Sequence, residues 1–200
     1  MTSGSDAPIT RRRAVAAALL LWAFPAAARA AGFGVEQLMA ELRQVKSATG
    51  RFVERKELHM LDKPVEASGT LIYLAPDQMQ KITISPSWER LAVRQSTLTI
   101  EQEGKSRSFS LGDRPEIGAF VESIRATLAG DLATLERFYT VTLTGDAGDW
   151  QLSLVPKERK LQELVKEIRI SGSGRSIHTV ETEEADGDRS VMRVVEEDIK

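Results

Sequence analysis

The chain has 200 residues, of which 42% are hydrophobic and 28% charged, with a formal net charge of −2 and no cysteine. Without thiols there is no disulfide, no thiolate metal site, no cysteine nucleophile and no lipidation at a cysteine. The mildly acidic balance argues against nucleic acid as a partner and against electrostatic adhesion to anionic lipid.

The first 30 residues read as a secretory signal peptide. Arg11, Arg12 and Arg13 precede an apolar run over 14–28, broken only by Pro25, and Ala28-Arg29-Ala30 supplies a small-x-small cleavage site after Ala30. The run is shorter than the roughly 20 residues that a membrane span requires. Thr10-Arg11-Arg12 resembles the start of a twin-arginine signal, but Ala14 and Val15 are less bulky than the residues that usually follow, so Sec and Tat export both stay open. Removing this segment, with four arginines against Asp6, takes the net charge to −5. Residues 31–200 show no repeat and no Pro-rich linker, and are expected to form a single domain in the periplasm.

In chain order, Val35, Leu38, Met39, Leu42 and Val45 fall at helical spacing, predicting an amphipathic helix over 35–47 that ends before Gly50. The period then changes. A charged strand is expected over 51–61, holding Phe52, Val53, Leu58 and Met60, followed by a turn at Asp62-Lys63-Pro64. Over 65–76, Val65, Ala67, Gly69, Leu71 and Tyr73 alternate with Glu66, Ser68 and Thr70, so one face of this strand is apolar, and Pro76 closes it. Short strands over 78–84, 89–94, 97–103 and 105–111, separated by tight turns, make an antiparallel meander.

The meander breaks once. Asp113 reads as an N-cap, with Pro115 in the first turn and Ile117, Phe120, Val121, Ile124 and Leu128 at helical spacing; Gly130 ends that helix, and 131–135 adds a short one. Strands resume over 138–144, 150–155, 162–171, 176–183 and 190–196, with Leu164, Ile168 and Ile170 on the buried side of the third of these. The fold class predicted is α+β, mainly β: about ten or eleven strands in one curved antiparallel sheet, with two or three helices over one face. The sequence pattern leaves open whether that face closes on a permanent core or holds an apolar guest.

No catalytic constellation stands out. His59 and His178 lie on separate strands among charged residues and read as surface positions without partners. No Gly-x-Ser-x-Gly elbow is present, and Glu54, Glu57, Glu66 and Glu101 read as the solvated carboxylates of an outer strand face. Arg107, Lys157, Arg159 and Lys160 read as a solvated rim, the last three also placed to guide an anionic headgroup or partner. The protein is read as a non-enzyme without metal or cofactor.

The order of these signals resembles the LolA family of periplasmic carriers over nearly all of residues 35–195. The resemblance rests on a helix, Phe52 on the first strand, Ser68-Gly69-Thr70-Leu71 with Tyr73 and Pro76, a mid-chain helix over a meander, Trp150-Gln151-Leu152 leading to Leu154-Val155-Pro156, and a final strand pair. It implies an unclosed β-barrel of about 11 strands, a helical lid and a hydrophobic cavity, in line with the layer pattern above. It implies acylated lipoprotein or lipid as cargo, an inner-membrane transporter as donor and an outer-membrane receptor as acceptor, and a soluble carrier expected to be monomeric. Phe52, Leu71, Tyr73, Met79, Leu91 and Val93 would line the cavity, and Ile117, Phe120, Val121, Ile124 and Leu128 would form the lid. Three departures mark a divergent branch whose cargo could be lipid or glycolipid: Ala75 stands where the family has a lid-bonding arginine, Lys81 where it has an aromatic, and Arg94-Gln95-Ser96 where it has an Asp-Gly turn. The alternative is a lipid- or lipoprotein-sensing periplasmic module without transport activity.

Overall fold

The computed structural model describes residues 32–200; the signal peptide read from the sequence lies outside them. Eleven strands form one antiparallel sheet in the order β6-β5-β4-β3-β2-β1-β11-β10-β9-β8-β7. They are β1 (Ser47–Glu57), β2 (Val65–Leu74), β3 (Gln78–Ser85), β4 (Glu89–Arg94), β5 (Thr97–Gln102), β6 (Lys105–Ser110), β7 (Tyr139–Asp146), β8 (Asp149–Pro156), β9 (Val165–Ser173), β10 (Ser176–Glu184) and β11 (Arg189–Ile199). Pairing of β1 with β11 joins the first and last strands in the middle of the sheet, and β6 and β7 are its free edges, so the barrel is not closed. The helices are α1 (Val35–Leu42), α2 (Pro115–Leu128), α3 (Leu132–Phe138) and α4 (Arg159–Gln162).

Cross-strand partners share a face, and the helix-covered side of the sheet carries two apolar groups. That side carries Tyr73, Met79, Val93, Leu98 and Phe109 in one half, and Ile168, Ile170, Leu152, Leu154, Val141 and Leu143 in the other. Helix α2 meets both halves: Ile117 and Val121 pack with Val93 and Leu98, while the Ala119 carbonyl accepts a hydrogen bond from the Tyr139 hydroxyl on β7. In a flat sheet β4 and β7 would stand roughly 38 Å apart at about 4.8 Å per strand. A 14-residue helix is only about 21 Å long. The sheet therefore curls around α2 and its apolar face is concave.

Strand directions explain the helices' place. Ser110 ends β6 opposite Thr97, beside the β4–β5 turn, whereas Tyr139 starts β7 opposite Pro156, at the other end of the strands. The β6–β7 connection must cross the sheet, and as α2 and α3 it does so over the concave face. The larger core lies under them, with Leu38, Met39, Leu42, Leu135, Trp150, Leu152, Leu154, Leu161 and Ile168 all nearly inaccessible to solvent.

The sequence reading holds for the strands at 65–74, 78–84 and 89–94 and fails at several boundaries. β1 starts at Ser47 and ends at Glu57, four residues earlier than expected at each end: Lys46 and Ser47 already donate to the Lys200 carbonyl, and Gly50 is paired rather than a break. Leu58 and Met60 accordingly lie in the loop after β1. The expected N-cap Asp113 sits in a 3-10 turn over Leu111–Asp113, and Arg114 precedes α2 without a side-chain cap. Leu164 lies before β9 and is exposed; α4, missed in the sequence, occupies the preceding residues, and Val165 takes the buried place.

Candidate functional site

All six residues expected to line a cavity fall on the concave face. Registers set them in three cross-strand rows. Nearest the β4–β5 turn is Ala48, Tyr73, Met79, Val93, Leu98 and Phe109; next is Gly50, Leu71, Lys81, Leu91, Ile100 and Arg107; the third is Phe52, Gly69, Thr83, Glu89, Gln102 and Lys105. Tyr73, Val93 and Leu98 of the first row are buried, with Ile117 and Val121 of α2 against the same cluster. Leu71, Lys81, Leu91 and Ile100 of the second row are only half-buried, and the third row turns polar. Along the strands the face thus changes from an apolar row, through one interrupted by Lys81 and Arg107, to one in which the buried Phe52 and Thr83 are followed by Glu89, Gln102 and Lys105.

The lid residues divide. Ile117 and Val121 face the β3–β6 cluster as a lid would, but Phe120 and Leu128 pack on the larger core beside β7–β10. The five residues expected as one lid surface therefore cover two different surfaces, because the curled sheet surrounds the helix on both sides. Ile124 is half-buried between them in sequence. At the C-terminal end of α2, Arg43 donates to the Gly130 carbonyl at 2.8 Å, tying the helix end to α1. Gly130 has φ +63°, and a side chain there would meet the Met39 carbonyl.

Sequence reasoning set Glu54 on the solvated side, and the structure reverses this. Glu54 follows Phe52 by two residues and so shares its face; it is 6% exposed. Lys81 Nζ donates to Glu54 Oε2 at 2.5 Å, Ser190 Oγ donates to Oε1 at 2.7 Å, and Lys56 Nζ stands 3.7 Å from Oε1. Lys81 reaches from β3 to β1 across Gly69, where no side chain obstructs it, and its ammonium lies 4.9 Å from the centre of the Phe52 ring. Burial alone would push the Glu54 carboxyl up, but the Lys81 hydrogen bond and charge, the Ser190 hydroxyl and Lys56 together hold it below its usual range. Alternation in 51–55 was the signal available; the charge of Glu54 obscured it.

Two further features frame the face. A cleft of about 560 Å³ opens between α2, α3 and the turns at Asp77 and Gln95-Ser96, with Gly118, Arg125 and Phe138 also in its wall. The Tyr73 hydroxyl, buried and without a hydrogen-bond partner, is held above the usual tyrosine range first by burial, with Arg125 opposing and Asp77 adding to it. At the opposite end of the strands, His59 Nδ1 lies 2.7 Å from Asp188 Oδ1, and donor atoms of His59, Asp186 and Asp188 lie within 4.8 Å of one another. His59 is exposed as expected but not partnerless; its partner is 129 residues away in sequence. Among the described residues no helix is long and apolar enough to cross a membrane.

An unclosed antiparallel sheet curled around a crossover helix defines a fold of the lidded-barrel class. The family profile described as outer membrane lipoprotein carrier protein LolA-like matches residues 26–194, and the chain belongs to that family. No curated protein sequence matches it. Similar solved structures include a LolA superfamily protein from Nitrosomonas europaea, at 9% identity and TM-score 0.42 over 84% of this chain and 94% of that one. Another is a putative outer membrane lipoprotein-sorting protein domain from Vibrio parahaemolyticus, at 10% identity and TM-score 0.44 over 84% and 91%. The lipoprotein LppX of Mycobacterium tuberculosis is similar at 9% identity and TM-score 0.39 over 79% and 93%.

Proposed function

We propose that the protein is a periplasmic carrier that shields acyl chains of lipoproteins or lipids on its concave face during transfer from inner to outer membrane. The observation that carries this reading is the apolar stretch of the concave face in β2–β6, where Leu71, Met79, Leu91, Ile100 and Phe109 are only half-buried, the last four beside the Val93–Leu98 cluster. Burying each methylene of a guest chain there contributes about 0.8 kcal/mol, without any directional bond that would slow release. An inner-membrane donor, an outer-membrane acceptor and a monomeric, single-domain carrier after signal cleavage complete the proposal, which involves no catalytic step, metal or cofactor.

The absence of cysteine permits a direct test. Leu91→Cys and Ala92→Cys, each labelled with bimane, place a fluorophore on the concave face and on the outer face respectively. A fatty acid brominated along its chain is expected to quench the label at 91 and not at 92. Equal quenching at both, or none at either, would count against a chain lying on this face.

A further inference from the structure

Strand β6 is the free edge of the sheet on the side of the half-buried apolar stretch. The other free edge, β7, borders the larger core, where Tyr139, Leu152 and Leu154 are sealed. A tight turn at Glu103-Gly104, with both φ positive, joins β5 to β6 and sets Gln102 opposite Lys105. Such a turn closes on a hydrogen-bonded pair, so the main-chain N–H and C=O groups of Lys105, Arg107 and Phe109 are directed to β5. The Leu111 N–H, which donates to the Ser96 carbonyl, continues the same phase. By alternation the N–H and C=O groups of Ser106, Ser108 and Ser110 are directed away from the sheet, and all three residues are exposed. Neither a proline nor a bulge, two devices that blunt an edge, interrupts β6. Its two charged side chains, Lys105 and Arg107, share the concave side with Phe109 and stand opposite the uncharged Gln102 and Ile100; Glu89, in the row of Lys105, is a further strand away. A partner strand of neutral or acidic sequence fits beside them, and a cationic one does not.

The edge is continuous with the proposed acyl site. Ile100 and Phe109 end the apolar stretch at this side, and Ile117 and Val121 of α2 pack over it. Beyond Ser110 the chain itself follows, as the turn Leu111–Asp113 and then α2, whereas towards Lys105 the edge runs out to the exposed turn at Glu103-Gly104. A polypeptide whose N-terminal acyl group lies against Leu91, Ile100 and Phe109 leaves that stretch over β6. Running from Phe109 towards Lys105, it is antiparallel to β6, the more favourable pairing. We propose that β6 takes up, as an added strand, the extended segment next to the acylated end of a polypeptide cargo, neutral or acidic in sequence. Main-chain hydrogen bonds then hold cargoes of unrelated sequence, because they read no side chain. This rests on the acyl-binding reading above and narrows its cargo to acylated polypeptide.

The test compares three ligands with one palmitoyl chain: palmitate, an N-palmitoyl peptide of Ser, Thr and Asp, and the same lipopeptide N-methylated throughout so that its backbone donates no hydrogen bond. Titrated by calorimetry, the first lipopeptide is expected to bind about tenfold more tightly than its N-methylated form, on the order of one net hydrogen bond. By NMR, amide exchange at Ser106 and Ser108 should slow with that lipopeptide and stay unchanged with palmitate. Ser108→Pro removes one outward donor at an edge position that tolerates proline. In this variant the advantage of the first lipopeptide should fall to near one while palmitate binding persists. Equal affinity for the two lipopeptides, with Ser106 and Ser108 exchanging as in the free protein, overturns the proposal and leaves acyl binding intact. Slowing that needs no peptide and grows with protein concentration makes a second copy of the chain the occupant of the edge, and also overturns it. Failure to bind any of the three ligands overturns both.

Discussion

Replacing Lys81 by methionine isolates the polar centre of the concave face. The change keeps the length and the packing of the stem but removes the ammonium that donates to Glu54 at 2.5 Å. Glu54, 6% exposed, is left with Ser190 and with Lys56 at 3.7 Å. Breaking a fully buried pair from one side costs about 3–5 kcal/mol. Lys81 is a quarter exposed and Lys56 remains as a second cation, so the expected loss is nearer about 2 kcal/mol at neutral pH. Lys81→Met/Glu54→Gln should recover most of it, to within about 1 kcal/mol of the unmodified protein, since the amide still accepts from Ser190 and no charge is stranded.

Urea unfolding of the two single variants and the double gives the coupling energy. The pH dependence has a fixed sign. The carboxyl of Glu54 is held low in the folded protein, so its contribution is present above the unfolded value and lost as pH falls through the folded one. In Lys81→Met, burial is opposed less and the carboxyl rises, so the deficit relative to the unmodified protein should shrink on acidification. A single variant as stable as the unmodified protein, or a double variant as unstable as the single, would refute this account of the pair.

Four other outcomes follow from named contacts. Tyr73→Phe removes a buried hydroxyl that has no partner, so thermal unfolding should show no loss and a gain of up to about 1 kcal/mol. Arg43→Met frees the Gly130 carbonyl and should cost about 1 kcal/mol, with hydrogen exchange accelerated at the C-terminal end of α2 rather than in the sheet. A Cβ at Gly69 would lie 1.9 Å from the Ile82 carbonyl oxygen, so Gly69→Ala should lose about 3 kcal/mol or more and weaken the β2–β3 pairing, read by denaturant midpoint. The Asp188 hydrogen bond, against slight desolvation and with the charges of Asp188 and Asp186, raises His59 above its usual value. An NMR titration should find it raised and Asp188→Asn should lower it; this contribution to stability is full below the unfolded value and fades as pH rises through the folded one.

What the sequence made legible was local and periodic. Period-2 alternation from Val65 to Tyr73 showed which residues share a face, and Pro115, the apolar spacing from Ile117 and Gly130 marked the extent of α2, although its N-cap is Arg114 and not Asp113. β1 was read too late because Leu58 and Met60 look like strand residues, whereas what holds Ser47 to Gly50 is pairing with β11, nearly 150 residues away. The split of the α2 surface was illegible for a similar reason: helical spacing shows which residues share a stripe, but not that a curled sheet flanks the helix on two sides. Glu54 is the instructive case. Its face followed from Phe52, yet the partners that make burial tolerable, Lys81 and Ser190, come from β3 and β11, and only the fold brings them together.

The most direct test of the central claim is the mass of the native protein. Protein purified from its native host without detergent, weighed by native mass spectrometry and then extracted for lipid, is predicted to carry one acylated species per chain. Protein that arrives empty and also fails to take up oleate or oleoyl lysophosphatidic acid would contradict the carrier account, and would leave the half-buried Leu71, Leu91 and Ile100 as no acyl site.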